Sequence, residues 1–272
     1  MPDELCPNCA AVLHGLYCSD CGQRRPQPDD YSTRSFLIDA VSDLFSINGR
    51  TWWTARQLLF HPGRLTLDHF QGRRIQYLKP LQIFLIVNVI FLLLAIGNGM
   101  FDSRLDEYLK FSPPPQDFTR QLVAQRIALK GISFEDYATT FDHNEDLLRK
   151  SLIFLLVPIF ALVQWALSHR GRRYYAEHLV FSIHFFSFFW LFTTLTGWPI
   201  AFLVDKAGIF PDRVLEPLFG LATLIYLYLM LRTVYAQSRL LTLLKSCVGL
   251  AAVTLLMDFY RVLLFFGTYL VT

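Results

Sequence analysis

Four cysteines fall within the first 21 residues as two Cys-x2-Cys knuckles, Cys6-Pro7-Asn8-Cys9 and Cys18-Ser19-Asp20-Cys21, with eight residues between them. Thiolates bind borderline-soft divalent ions strongly, and paired two-residue knuckles are the spacing that closes a tetrahedral four-sulfur site. The sequence therefore predicts zinc on Cys6, Cys9, Cys18 and Cys21. About twenty residues bury too little apolar surface to fold unaided, so a metal contribution on the order of 10 kcal/mol decides whether residues 5–23 are ordered. Gly15 and Gly22 suit tight turns beside the knuckles, and Arg24 and Arg25 offset part of the net negative charge of four thiolates on a divalent ion. With no further ligand in view, the centre reads as structural, a metal-clipped surface for presentation.

A second set of groups able to do chemistry is Glu177, His178 and His184, inside or beside an apolar run. Seven residues are nearly two helical turns, so Glu177 and His184 share a face with Phe181 while His178 is rotated away. Ionisable groups within a span cost several kcal/mol unless paired or hydrated. Two readings stay open. In one, these residues join Asn88, Gln164, Asp258 and Arg261 in a polar pocket or proton path. In the other, Glu177 and His178 sit at the interface, capping the helix and holding headgroups, with His184 hydrogen-bonded in the bundle. Asp258 and Arg261, three residues apart, are expected to neutralise each other. The chain has no His-Glu-x-x-His, no Gly-x-Ser-x-Gly, no phosphate-cradling Gly-x-x-x-x-Gly-Lys and no dinucleotide fingerprint, so no enzymatic activity is expected.

The elements that must position these groups are apolar helices. A chain of 272 residues with 53% hydrophobic content, 25 Phe, 12 Tyr and only 17% charge has a membrane-protein composition. Its net charge of +3 is too small to imply a nucleic-acid partner. Five segments approach the roughly 20 residues needed to cross a hydrocarbon layer: 80–97, 151–167, 178–204, 216–236 and 245–271. Gly197-Trp198-Pro199 should kink the third near its far end. Basic residues in the loops 168–177 and 237–245 place both in the cytosol with the amino terminus, and the carboxyl terminus outside. Asp3 and Glu4 argue against a cleaved signal, and the reduced cytosolic setting favours zinc over disulfides. Cys247, in the last span, reads as a small packing residue.

Residues 1–25 are then a head, 26–79 a linker with juxtamembrane helices, and 80–272 the membrane domain. Pro26, Pro28, Asp29 and Asp30 mark the linker. An amphipathic helix runs from Ser35 through Phe45, and a second from Thr51 to Phe60 ends at His61-Pro62-Gly63. From Ile47 to Lys79, six basic residues, Arg50, Arg56, Arg64, Arg73, Arg74 and Lys79, face one acid, Asp68. With Trp52, Trp53 and Tyr77 interleaved, this stretch suits anionic lipid headgroups, with Arg64, Arg73, Arg74 and Lys79 as the contacts. The outer loop 98–150 is expected to be helical, with Phe118, Leu122 and Ile127 on one face and Ser133 with Asp136 as a capping box. The fold class is thus an all-α membrane protein with about five transmembrane helices, a small four-cysteine head and amphipathic juxtamembrane helices.

The two knuckles, His61-Pro62-Gly63, Phe70-Gln71-Gly72-Arg73-Arg74, Tyr77 with Pro80, and the run Tyr175 to His184 together resemble the bacterial membrane family known as domain of unknown function 3667. That resemblance implies a zinc-ribbon-like head on a polytopic domain of the bacterial inner membrane, and no agreed activity. Residues 100–145 match no motif of the family. The function expected is a non-enzymatic anchor, scaffold or sensor whose zinc-bearing head binds a cytosolic protein. The alternatives are a small-solute transporter or channel using Glu177 and His184, and an intramembrane lipid-modifying or proteolytic enzyme.

Overall fold

Long apolar runs satisfy their backbone polar groups only as helices when water is absent, and helices are what these runs form. The computed structural model describes residues 5–25, 49–95, 104–110, 115–168, 174–197, 199–200 and 211–272. The helix expected from Ser35 lies outside them. Among the described residues there are no strands, only two isolated antiparallel bridges in the head, Leu5 with Val12 and Tyr17 with Arg24. The helices are α1 (Gly49–Phe60), α2 (Arg64–Phe70), α3 (Pro80–Ala95), α4 (Leu105–Lys110), α5 (Gln116–Lys130), α6 (Phe134–Leu152), α7 (Leu156–Ser168), α8 (Tyr175–Phe192), α9 (Pro211–Tyr235) and α10 (Arg239–Val271).

Among the described residues, four helical stretches are long and apolar enough to cross a membrane: Phe134–Ser168, Tyr175–Gly197, Pro217–Tyr235 and Arg239–Val271. The first joins α6 to α7 through a 3-10 turn at Ile153–Leu155. Pro80–Leu94 is a shorter apolar helix and a further candidate. Four to five spans make this a multi-pass membrane protein, with the cysteine head at its amino end.

The chain forms two compact units. The first takes residues 1–94 and 161–250. Its centre is α8, whose residues Val180 to Phe188 are buried without interruption. A helix apolar on every side belongs in the middle of a bundle rather than at its edge. Helices α1 and α2 both pack on α8, and α2 also packs on α9. Ser182 and Ser187 donate to the carbonyls of His178 and Ile183, which lets hydroxyls sit inside the bundle. Past Phe192 the helix widens into a π turn at Thr193–Gly197, which ends at the first residue of the Gly197-Trp198-Pro199 kink expected from the sequence; Trp198 itself lies outside the described residues.

The second unit takes residues 95–160 and 251–272. Its core is Leu105, Tyr108, Val123, Tyr137, Phe141 and Phe265. As expected, Ser133 caps α6, its hydroxyl accepting the Asp136 N–H at 3.1 Å. The buried face of α5 differs from expectation: Thr119 and Val123 are buried, with Leu122 and Ile127 packed alongside, while Phe118 is half exposed against the Phe266 ring. Asp258 and Arg261 do not form the expected ion pair. Arg261 instead lies over the Tyr108 ring, 5.7 Å from its centroid, because side-chain spacing along α10 does not fix the direction in which that face points. Cys247 is exposed on α10 rather than packed inside.

Candidate metal centre

Both knuckles are built alike. In the first, the Cys6 N–H donates to the Ala11 carbonyl at 2.7 Å and the Ala10 N–H donates back to the Cys6 carbonyl at 2.8 Å. In the second, the Cys18 N–H donates to the Gln23 carbonyl and the Gly22 N–H to the Cys18 carbonyl, each at 2.9 Å. The turn residue is left-handed in both, with φ of 61° at Ala10 and 71° at Gly22. Glycine meets that demand freely, whereas at Ala10 it carries a cost of about 1 kcal/mol.

These turns bring the four sulfurs to within 4.8 Å of one another. Cys6 Sγ lies 3.6 Å from Cys21 Sγ, and Cys9 Sγ lies 3.5 Å from Cys18 Sγ. A tetrahedron with metal–sulfur bonds of about 2.3 Å has sulfur–sulfur edges of about 3.8 Å, so the residues present fit a zinc-sized ion. The thiols respond unequally to the crowding. Burial works against ionising Cys6, yet the backbone groups of Cys9 and Asn8 and the neighbouring thiols bring it down to about 7. At Cys9 the backbone bond involving Ala11 favours the thiolate, but desolvation and the sulfurs of Cys18, Cys21 and Cys6 outweigh it, and the thiol is pushed up to about 12. Sulfurs that cannot all be anionic by themselves are a donor set suited to a cation. A metal bound there would serve as a crosslink between the knuckles.

The head rests on the first turn after α2. The Gln23 amide donates to the Gly72 carbonyl and accepts the Arg74 N–H at 3.3 Å. Gly72 is left-handed, with φ of 80°. Pro7 of the first knuckle lies 3.1 Å from where a Gly72 Cβ would stand.

Beneath that turn lies a residue that sequence reasoning passed over. Asp68 is 1% exposed and takes Arg73 at 2.8 Å, Arg64 at 3.1 Å and the Tyr77 hydroxyl at 2.9 Å. The Arg73 N–H also donates to the Asp68 carbonyl at 2.8 Å. The available signal was a lone acid in a basic stretch, four residues after Arg64. Tyr77, expected at the lipid interface, is instead buried, and burial together with the Asp68 carboxylate pushes its hydroxyl up to about 12. Of the four residues assigned to headgroups, Arg64 and Arg73 hold Asp68, Arg74 donates to the His69 carbonyl at 3.5 Å, and Lys79 is exposed. Next to Asp68, burial, Arg74 and His184 hold His69 well below the usual imidazole range.

Each member of the intramembrane trio bonds a residue outside the trio. Glu177 accepts the Tyr174 N–H at 3.1 Å and so caps α8, where a carboxylate also meets the positive end of the helix. His178 is fully buried, with Nδ1 2.9 Å from the Tyr235 hydroxyl and its ring stacked on that tyrosine. His184 Nδ1 lies 2.8 Å from the Thr66 hydroxyl. The tyrosine and threonine partners were not singled out from the sequence, because nothing local marks them.

Residues 48–92 match the family model described as a protein of unknown function, DUF3667. The resemblance drawn from the sequence is borne out over this segment, which holds α1, α2, the Asp68 hub and the turn that seats the head. The DUF3667 match does not extend to the cysteines themselves. No curated protein and no solved structure matches the chain.

Asp68→Asn keeps the side-chain volume and removes the charge that two guanidinium groups share. Because Arg64 and Arg73 are 53% and 33% exposed, water relieves part of the resulting repulsion. The expected loss is about 2 kcal/mol, read as a drop of several degrees in thermal unfolding of the detergent-solubilised chain. Unchanged unfolding would show that the hub contributes nothing to stability.

Proposed function

We propose that this chain is a non-enzymatic protein of the bacterial inner membrane whose four-cysteine head holds zinc and presents a docking face to a cytosolic protein. The spans serve as anchor, with the amino terminus in the cytosol and the carboxyl terminus outside. The observation that carries this reading is a metal-ready sulfur cluster in a head whose buried residues are only Cys6, Cys18 and Gln23, with Leu16 and Tyr17 57% and 64% exposed. Large apolar side chains held outward by a rigid turn are an interaction surface rather than a reaction site. Anionic lipid headgroups are the second partner class, met by the exposed Lys79 and Trp52 of the basic juxtamembrane stretch.

A solute path through Glu177 and His184 has less support, since the first caps a helix and the second bonds Thr66. The apolar groove formed by α9 and α10, lined by Leu224, Ile225, Tyr228, Leu229, Arg239, Leu240 and Leu243, includes none of the trio. An intramembrane enzyme has less support for the same reason, each of the three side chains bonding a residue outside the trio.

Affinity capture from cytosol on the full chain tests the proposal. The expected result is a protein retained by the wild type and lost with Cys9→Ser or after chelation. Capture that ignores Cys9, or a wild type that retains nothing, overturns it.

A further inference from the structure

We propose that the turn after α2 is an outer wall of the metal centre, so that metal affinity in the head is set in part by Gly72 and by Gln23, neither of which ligates. The inference rests on the metal reading above.

Three contacts carry it. Gln23, just past the second knuckle and 7% exposed, pairs its amide with the backbone at both Gly72 and Arg74. Pro7, inside the first knuckle, lies 3.1 Å from a Cβ built on Gly72. Gly22, the turn residue of the second knuckle, faces Ile75, whose Cδ1 lies 3.8 Å from a Cβ built there. One short turn is therefore gripped by both knuckles simultaneously. The grip needs the knuckles side by side, and apart from the sulfurs nothing buried within residues 5–25 except Gln23 holds them so. The turn is not free to follow a loosened head, because Arg73 ties it to Asp68 through both backbone and side chain. A clasp that closes only on the assembled head must favour assembly. By linkage, the docking free energy appears in the metal affinity, and metal occupancy appears in the order of the turn.

Gly72 is indispensable to this geometry for two reasons. Its φ of 80° lies in the left-handed region, and a Cβ there would press on Pro7. Gly131 offers the matched control: its φ is 66°, but a Cβ would meet nothing within 4 Å.

The test is zinc competition against a chromogenic chelator, using the full chain in detergent. Wild type, Gln23→Ala, Gly72→Ala and Gly131→Ala are compared, and metal content is measured at the start. The expected result is one zinc per chain in every protein, with affinity about tenfold weaker in Gln23→Ala and at least that in Gly72→Ala, and unchanged in Gly131→Ala. Hydrogen exchange at the Arg74 amide should quicken when the wild type is stripped of metal. A wild type that holds no zinc would overturn the metal reading itself. A wild type that holds zinc, with Gln23→Ala and Gly72→Ala equally tight, would leave that reading intact and overturn the clasp. Should Gly72→Ala fail to fold, Gln23→Ala and the exchange measurement decide.

Discussion

Chelation that strips metal from Cys6, Cys9, Cys18 and Cys21 is expected to unfold residues 5–25 while the helices persist. Within that stretch only Cys6, Cys18 and Gln23 are buried. Two of the three belong to the sulfur cluster and the third faces the turn after α2, so the head has no apolar interior to fall back on. With a metal bound, folding free energy there is metal-binding free energy, on the order of 10 kcal/mol, against which the five backbone hydrogen bonds within residues 5–25 are small. Arg24 closes the second knuckle and supplies the measurement, since Arg25 precedes Pro26 and its bond resists trypsin. Trypsin should cut after Arg24 many times faster in the stripped protein, with far-ultraviolet helicity unchanged. Equal cleavage with and without metal would mean that something other than the sulfur cluster orders the head. Cys21→Ser should reproduce the stripped state without any chelator, which separates loss of the ion from side effects of the reagent.

What was legible in the sequence is what local chemistry dictates. Knuckle spacing places four sulfurs together because both turns close within a few residues. Ser133 caps α6 because its acceptor and the Asp136 N–H are three residues apart. His61-Pro62-Gly63 ends α1 because proline disfavours helical backbone before it and Gly63 adopts φ of 82°. Apolar runs announce spans by length alone. The residues that join these pieces were not legible. Asp68 with Tyr77, His178 with Tyr235, and Gln23 with Gly72 meet because of how helices and head come together, and no spacing rule reports that. Asp258 and Arg261 show the same limit from the other side, since their offset correctly puts them on one face of α10 and yet says nothing of the aromatic ring that Arg261 would find.

The glycine at the α1–α2 corner is where a single methyl group should cost most. Gly63 sits at φ of 82°, and a Cβ there would stand 2.9 Å from the Met230 carbonyl oxygen, 2.9 Å from Thr233 Cβ and 3.2 Å from Met230 Cα. Two of those atoms are backbone of α9, in the middle of a continuous helix, and cannot rotate aside. Gly63→Ala therefore combines left-handed strain of about 1–2 kcal/mol with overpacking of about 1–3 kcal/mol. Gly131→Ala isolates the first term, having φ of 66° and open space around it. Gly249→Ala isolates a softer form of the second, since its clash is with Leu227 Cδ2, the far end of a side chain that can turn away. Thermal unfolding of the three variants should rank Gly63→Ala well below the other two. Because α2 carries Thr66 to His184 and Asp68 to the turn under the head, Gly63→Ala should also loosen protection at Arg74, far from the methyl group itself. A Gly63→Ala protein as stable as Gly131→Ala would mean that α2 and α9 do not pack as closely as described, and the seat of the head would lose its foundation.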